Sequence, residues 1–186
     1  INCRAKFANT HVRIFIYLAM HIEAFLSSSF GHIRIEISEN GLRSLSFVKD
    51  LPDEVGDNPP AAVPYIRQIE EYLEGDRTSF DLEIDWSGVP PFHQQVLKMV
   101  RTIPYGKTRT YKQLAMVLGK PGAIRAVGQA NGRNPIALVV PCHRVLGTNG
   151  QLTGYAYGLE LKRQLLELEN PQAFHHQMAM FEEAGL

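Results

Sequence analysis

The sequence predicts an α/β domain over residues 20–88 followed by a mostly helical domain over residues 89–172, with a tail at 173–186. Three observations carry this. Apolar and polar residues alternate with the period of a strand only in the first part. Apolar stripes with helical spacing, bounded by caps and prolines, fill the second. Between them lies a junction at residues 86–91, where Pro90-Pro91 interrupts regular structure and can open a helix.

The elements follow in order. Residues 1–19 show neither alternation nor a capped helix, and the chain opens on Ile1. The apolar run at 14–20 is too short to cross a bilayer, which takes about 20 residues. We expect the natural start to be Met20 and residues 1–19 to be a non-native or upstream extension. His32-Ile33-Arg34-Ile35-Glu36-Ile37 reads as a strand, Glu39-Asn40-Gly41 as a turn, and residues 42–48 as the returning strand of a hairpin. A Pro- and Asp-rich loop spans 51–60. Val63, Ile66, Ile69, Tyr72 and Leu73 form one helical stripe within 61–74, with Gly75 as its C-cap. Phe80, Leu82 and Ile84 alternate again and predict a third strand.

In the second part, Phe92, Val96, Leu97, Val100 and Ile103 share a helical face, and Pro104-Tyr105-Gly106 ends that helix. Thr110 is placed to cap a helix over 111–118, with Gln113 at the capping-box position. A turn at 119–122 leads to a helix over 123–131 that is rich in Ala and Gly. Two short helices joined by a Gly-containing turn match a helix-turn-helix. Residues 136–140 are uniformly apolar and predict a buried strand, and residues 158–169 predict a last helix.

Hydrophobic residues make up 45% of the chain, charged residues 20%, and the net charge is zero. The distribution is uneven. Residues 101–159 hold eight Lys/Arg and no Asp or Glu, whereas residues 20–100 hold 14 acidic and six basic side chains. An acid-free basic stretch over the helix-turn-helix points to a polyanion such as DNA, with a chance solvated face as the alternative reading. With two cysteines in the chain, Cys3 and Cys142, a disulfide framework is excluded as the source of stability.

Cys142 sits in Pro141-Cys142-His143-Arg144. A free cysteine is ordinarily a small buried hydrophobe, but a neighbouring histidine can favour its thiolate. Such a base needs a third group to orient it. The basic stretch offers no carboxylate, so Glu160, Glu167 and Glu169 on the last helix are the nearest choices, and spacing alone selects none of them. Arg125 lies among Ala126, Gly128 and other small residues, a helix that could approach a groove closely and push one long side chain into a base stack. Gly154-Tyr155-Ala156-Tyr157-Gly158 could wall a pocket for a flat ring.

Taken together, Asn134-Pro135, Pro141-Cys142-His143-Arg144-Val145 and Gly154-Tyr155 through Gly158-Leu159, Lys162, Leu165-Leu166 and Glu169 resemble the O6-alkylguanine-DNA alkyltransferase family. The resemblance extends upstream through Ile103-Pro104-Tyr105-Gly106, Thr110-Tyr111 and Arg125-Ala126-Val127-Gly128, and covers about residues 20–170. It implies a ribonuclease-H-like α/β N-terminal domain and a winged helix-turn-helix-like C-terminal domain. It implies a monomer that binds duplex DNA carrying O6-alkylguanine and moves the alkyl group irreversibly onto Cys142, with O4-alkylthymine a poorer substrate and no cofactor. By the same resemblance His143 takes the thiol proton through a water, Glu169 orients His143, and Tyr111 assists the leaving base by proton donation. Asn134 ties the recognition helix to the active-site segment, and Arg125 replaces the flipped base. Ala126 and Gly128 accompany Arg125 in the DNA-binding helix, and Pro141, Tyr155, Ala156 and Tyr157 belong to the substrate pocket. Tyr157 would narrow that pocket against large adducts. Cys3, His11, His21 and His32 lack the cysteine pattern of zinc-bearing relatives, so no metal is expected. A cytoplasmic location without membrane association is expected. Two other readings are a non-enzymatic sensor of alkylated DNA, which the presence of Cys142 opposes, and a cysteine hydrolase, for which no oxyanion hole is visible and which leaves the helix-turn-helix unexplained.

Overall fold

The computed structural model describes residues 21–52 and 57–172; the expectations for residues 1–19 and for the tail at 173–186 lie outside the described residues. Three strands, β1 (Ile22–Ser28), β2 (Gly31–Ser38) and β3 (Gly41–Val48), form an antiparallel sheet in the order β1-β2-β3. The alternation of Ile33, Ile35 and Ile37 sends these side chains into the core, where they are at most 4% exposed. Strand β1 was not expected from the sequence. It pairs Ala24 with Ile35 and Leu26 with Ile33, burying its own alternate residues. Its outer edge is capped by Asn58, whose side chain bonds both the N–H and the C=O of Phe25 at 2.9 Å. That pairing satisfies backbone groups that an open edge would leave for another strand.

Helix α1 (Val63–Leu73) follows, burying Ile69, Tyr72 and Leu73 of the expected stripe, while Val63 in its first turn is exposed and Ile66 half-buried. The third strand expected around Phe80, Leu82 and Ile84 is instead a single parallel bridge, Leu42 with Ile84. The free edge of β3 is divided between two short segments. Residues 83–85 exchange two bonds with Leu42, and residues 135–137 exchange two with Leu45.

The second part comprises α2 (Pro91–Arg101), β4 (Arg109–Thr110), α3 (Tyr111–Val117), α4 (Ile124–Gly132), β5 (Val145–Leu146) and α5 (Leu159–Glu169). The Thr110 capping box forms in both directions: its hydroxyl accepts from Gln113 N at 3.1 Å and Gln113 Oε1 accepts from Thr110 N at 2.8 Å. Strands β4 and β5 pair in parallel, so the start of α3 is fastened to the residues after Arg144.

Residues 136–140 are buried as expected but do not form a strand. Only Ile136 bridges β3; then Leu138 takes φ 65°, and Val139 and Val140 bond back to Ala137 and Ile136. A left-handed conformation at a non-glycine residue costs about 1–3 kcal/mol and persists where surrounding packing enforces it. Leu138 is fully buried, and the coil it begins delivers Cys142. One hydrophobic core runs from the sheet through α2, α4 and α5, so the two parts share an interior. Among the described residues no helix is long and apolar enough to cross a membrane.

Gly41 opens β3 at φ +115°, and a Cβ there would lie 2.5 Å from the Glu83 carbonyl oxygen. Gly41→Ala is therefore expected to cost about 2 kcal/mol through backbone strain, read as a lowered urea midpoint.

Candidate functional site

The Pro141-Cys142-His143-Arg144 motif places Cys142–Arg144 in a 3-10 turn between the Leu138 coil and β5. The three side chains of the turn are all buried, with His143 fully so. The coil ahead of the turn is held by Asn134, just beyond α4, whose side-chain amide donates to Val140 O at 2.8 Å and Ile136 O at 3.3 Å while its oxygen accepts from Ile136 N at 3.0 Å. Three backbone groups of one coil thus converge on one asparagine.

Glu169, the last residue of α5, is the carboxylate that meets His143. His143 Nε2 lies 2.7 Å from its Oε1, whereas Glu160 and Glu167 are engaged with Arg163 on the helix surface. Arg144 donates Nε to both Glu169 oxygens at 3.0 and 2.9 Å and Nη2 to Oε1 at 2.8 Å, and Gly106 N donates to Oε2 at 2.9 Å. Arg144 Nη1 also donates to Ile103 O at 2.6 Å. Burial penalises this carboxylate, but the hydrogen bonds from His143 and Arg144 and the Arg144 charge outweigh the penalty and hold its pKa at about 2.

Burial pushes His143 below the ordinary imidazole range, with Arg144 and Lys162 acting in the same direction, so it is neutral at pH 7. Among the described residues its Nδ1 has no hydrogen-bond partner. Burial pushes the Cys142 thiol up, an effect that Asn134 and the Lys162 charge partly oppose. A protonated thiol beside a neutral imidazole is a resting state that generates thiolate only when its proton is removed. Lys162 is fully buried on α5, its pKa lowered to about 8 by desolvation, and its Nζ donates to Val145 O at 2.6 Å and Thr153 O at 2.8 Å. It therefore clamps the loop at 154–158 onto the strand that follows the turn.

Tyr111, the first residue of α3, is half-buried; its hydroxyl donates to Gly154 O at 3.4 Å, and burial raises its pKa so that it keeps its proton. Tyr155 and Tyr157 line the other side, ring to ring at 5.4 Å, and Tyr157 packs edgewise on Phe47 of β3 at 5.3 Å. Ala156 between them is exposed, and Pro141 is buried at the base of the turn. Arg125 and Ala126 are exposed at the start of α4, away from this relay. Gly128, on the same helix, faces the Tyr111 ring, where an added Cβ would make only ordinary contact at 3.8 Å. Packing inside the protein does not demand a glycine there.

Sequence reasoning missed Asn131, Tyr72 and the roles of Arg144 and Lys162. Asn131 is buried and donates to Cys142 O at 3.3 Å, and its side-chain oxygen has no partner among the described residues. Tyr72 was counted as one more apolar residue of a helical stripe, yet its hydroxyl donates to Glu169 Oε1 at 2.5 Å.

Comparison with known proteins gives this geometry a family. Residues 22–86 match the 6-O-methylguanine DNA methyltransferase ribonuclease-like domain, and residues 91–171 match the DNA-binding domain of the same methyltransferase. The chain belongs to the 6-O-methylguanine DNA methyltransferase family. Within that family it is 46% identical over 149 residues to the methylated-DNA–protein-cysteine methyltransferase of Methanosarcina barkeri, covering 77% of this chain and 94% of the relative. The crystal structure of Mycobacterium tuberculosis O6-methylguanine methyltransferase matches at a TM-score of 0.73 and 41% identity, over 82% of this chain and 94% of that one. The M. tuberculosis protein OGT in complex with DNA matches at 0.71 and 42%, over 79% and 91%. The two-part architecture of a sheet domain and a helical DNA-binding domain is thus that of the methyltransferase family.

The pH dependence of stability follows from the buried histidine. Its folded-state pKa lies below the unfolded value of 6.5, so its contribution is complete above that pH and is lost as pH falls through the folded value. Glu169 adds a second loss between 4.5 and about 2. The urea midpoint is expected to fall as pH drops below 6.5, and His143→Gln should flatten that first limb.

Proposed function

We propose that this protein repairs DNA by direct reversal, transferring the alkyl group of O6-alkylguanine in duplex DNA irreversibly to Cys142, once per molecule, with O4-alkylthymine a poorer substrate. The observation that carries the reading is the buried pair of His143 and Glu169, with His143 next to the buried Cys142 in one turn. A DNA complex of a relative 42% identical to this chain supports duplex DNA as the partner. The finer fold reading that goes with it is a ribonuclease-H-like sheet domain over 20–88 and a winged helix-turn-helix over 89–172, formed by α3, α4 and the segment that follows.

An O6 substituent is inaccessible inside a stacked duplex, so the guanine must leave the helix. Arg125, exposed at the start of α4, fills the gap, while Ala126 and Gly128 let that helix lie close to the groove. Surrounding Lys and Arg side chains meet phosphates, the part of binding that is independent of sequence. The flipped base enters between Tyr111 and the loop of Tyr155, Ala156 and Tyr157, above Pro141 and Cys142. His143 takes the thiol proton at Nδ1 through a bridging water, and Glu169 stabilises the resulting imidazolium. The thiolate sulfur attacks the alkyl carbon, a carbon–sulfur bond forms, and the carbon–oxygen bond breaks with its electron pair moving onto the guanine. Tyr111, which keeps its proton, donates to the departing base. The products are S-alkylcysteine and guanine, and no group in the site returns the cysteine to its thiol. Asn134 holds α4 to the coil carrying Cys142, so groove binding and thiol position are mechanically joined.

Duplex DNA containing O6-methylguanine tests this directly. One methyl group per protein is expected on the proteolytic peptide holding Cys142, with no second turnover; methyl left on the DNA, or repeated turnover, would refute the reading. Cys142→Ala should retain DNA binding and abolish transfer, and Arg125→Ala should slow repair of duplex substrate at least tenfold while sparing transfer from the free base. Because Tyr157 narrows the pocket loop, O6-methylguanine should react faster than O6-benzylguanine in competition.

A further inference from the structure

The relay residue Glu169 is contacted from the sheet domain as well as from the helical one. Tyr72, on α1, is fully buried, packs against Phe80 at 5.1 Å and Tyr105 at 5.9 Å, and reaches the centre of the relay. Its hydroxyl donates to Glu169 Oε1 at 2.5 Å and lies 3.3 Å from His143 Nε2. Oε1 is also the oxygen that faces His143, so one acceptor is shared by a phenol, an imidazole and the Arg144 guanidinium.

We propose that Tyr72 is a positioning residue for the transfer reaction: its hydroxyl occupies Glu169 Oε1 and limits how strongly that oxygen draws the His143 proton. This rests on the reaction assigned above. The argument is one of competing donors. A buried carboxylate with a single imidazole partner stabilises the imidazolium strongly, and the histidine would then be protonated before the thiol could give up its proton. Each additional donor disperses charge from the shared oxygen and weakens that pull. Arg144 supplies one such donor from the reactive turn. Tyr72 supplies the other and is the one that comes from the sheet domain. Burial raises the Tyr72 pKa well above the ordinary phenol range, so it serves as a permanent donor. The other groups facing the relay act consistently with this. Lys162 from α5 disfavours imidazolium, and Tyr105, from the loop after α2, stays protonated through burial. Cys142 is neutral until the reaction begins, and Tyr155, which faces Cys142 and Tyr72, also remains protonated.

The test is the pH dependence of single-turnover transfer from O6-methylguanine duplex, together with the titration of the His143 ring followed by nuclear magnetic resonance. Tyr72→Phe keeps the ring that packs on Phe80 and Tyr105. It should raise the His143 pKa and move the acid limb of the rate profile upward by about one pH unit. Site-specific 3-fluorotyrosine at position 72 keeps the hydroxyl, makes it a stronger donor, and should move both in the opposite direction. If Tyr72→Phe does not fold, the fluorinated protein decides. An unchanged acid limb and an unchanged His143 titration in either folded protein would overturn the inference, including the case in which Tyr72→Phe only lowers the unfolding temperature. Should the unmodified protein accept no methyl group, the proposed reaction fails, and the His143 titration still judges Tyr72 separately.

Discussion

The Glu169 carboxylate is charged and buried, and an isolated carboxylate in that position would cost far more than the folded state has to spare. What keeps it ionised is the convergence of three chain segments: Tyr72 from α1, Gly106 from the loop after α2, and His143 and Arg144 from the Cys142–Arg144 turn. None of these contacts is strong alone once desolvation is counted, and removal of any one leaves a buried charge short of a donor. The carboxylate therefore makes the relative placement of sheet domain, loop, turn and last helix mutually dependent. The reactive cysteine inherits its position from that arrangement.

A second constraint works on the opposite side of the thiol. Asn134 anchors the coil ahead of Cys142 to α4, and the β4–β5 pair anchors the residues after Arg144 to the start of α3. Helices α3 and α4 are thus each tied, through residues flanking them, to the segment carrying Cys142. The left-handed Leu138 is the local strain that this short connection requires. Extended backbone would carry the chain along β3; the kink returns it to the relay. Lys162 ties Thr153, just ahead of the loop at 154–158, to β5.

The helices were legible in the sequence because their signals are local. The Thr110 capping box, the stripe of α1 and the proline-led start of α2 each depend on residues within a few positions of one another. The β2–β3 hairpin was legible for the same reason, through its turn and alternation. Strand β1 was not, because a preceding apolar run masked its period. The segments near Ile84 and Ile136 looked like strands but form one bridge each, because which segment occupies an edge depends on partners distant in the chain.

The sequence by itself determined the chemistry available to this protein: one cysteine beside a histidine, a basic stretch free of carboxylates, and a small-residue helix bearing Arg125. Through its family resemblance it also singled out Glu169 among three glutamates. Only the tertiary structure decided how that glutamate is held. Tyr72 lies 97 residues from Glu169 along the chain, and periodicity marked it as another buried ring. A side chain's contribution to a relay depends on which oxygen it reaches across the fold, and neither local propensity nor spacing along the chain carries that information.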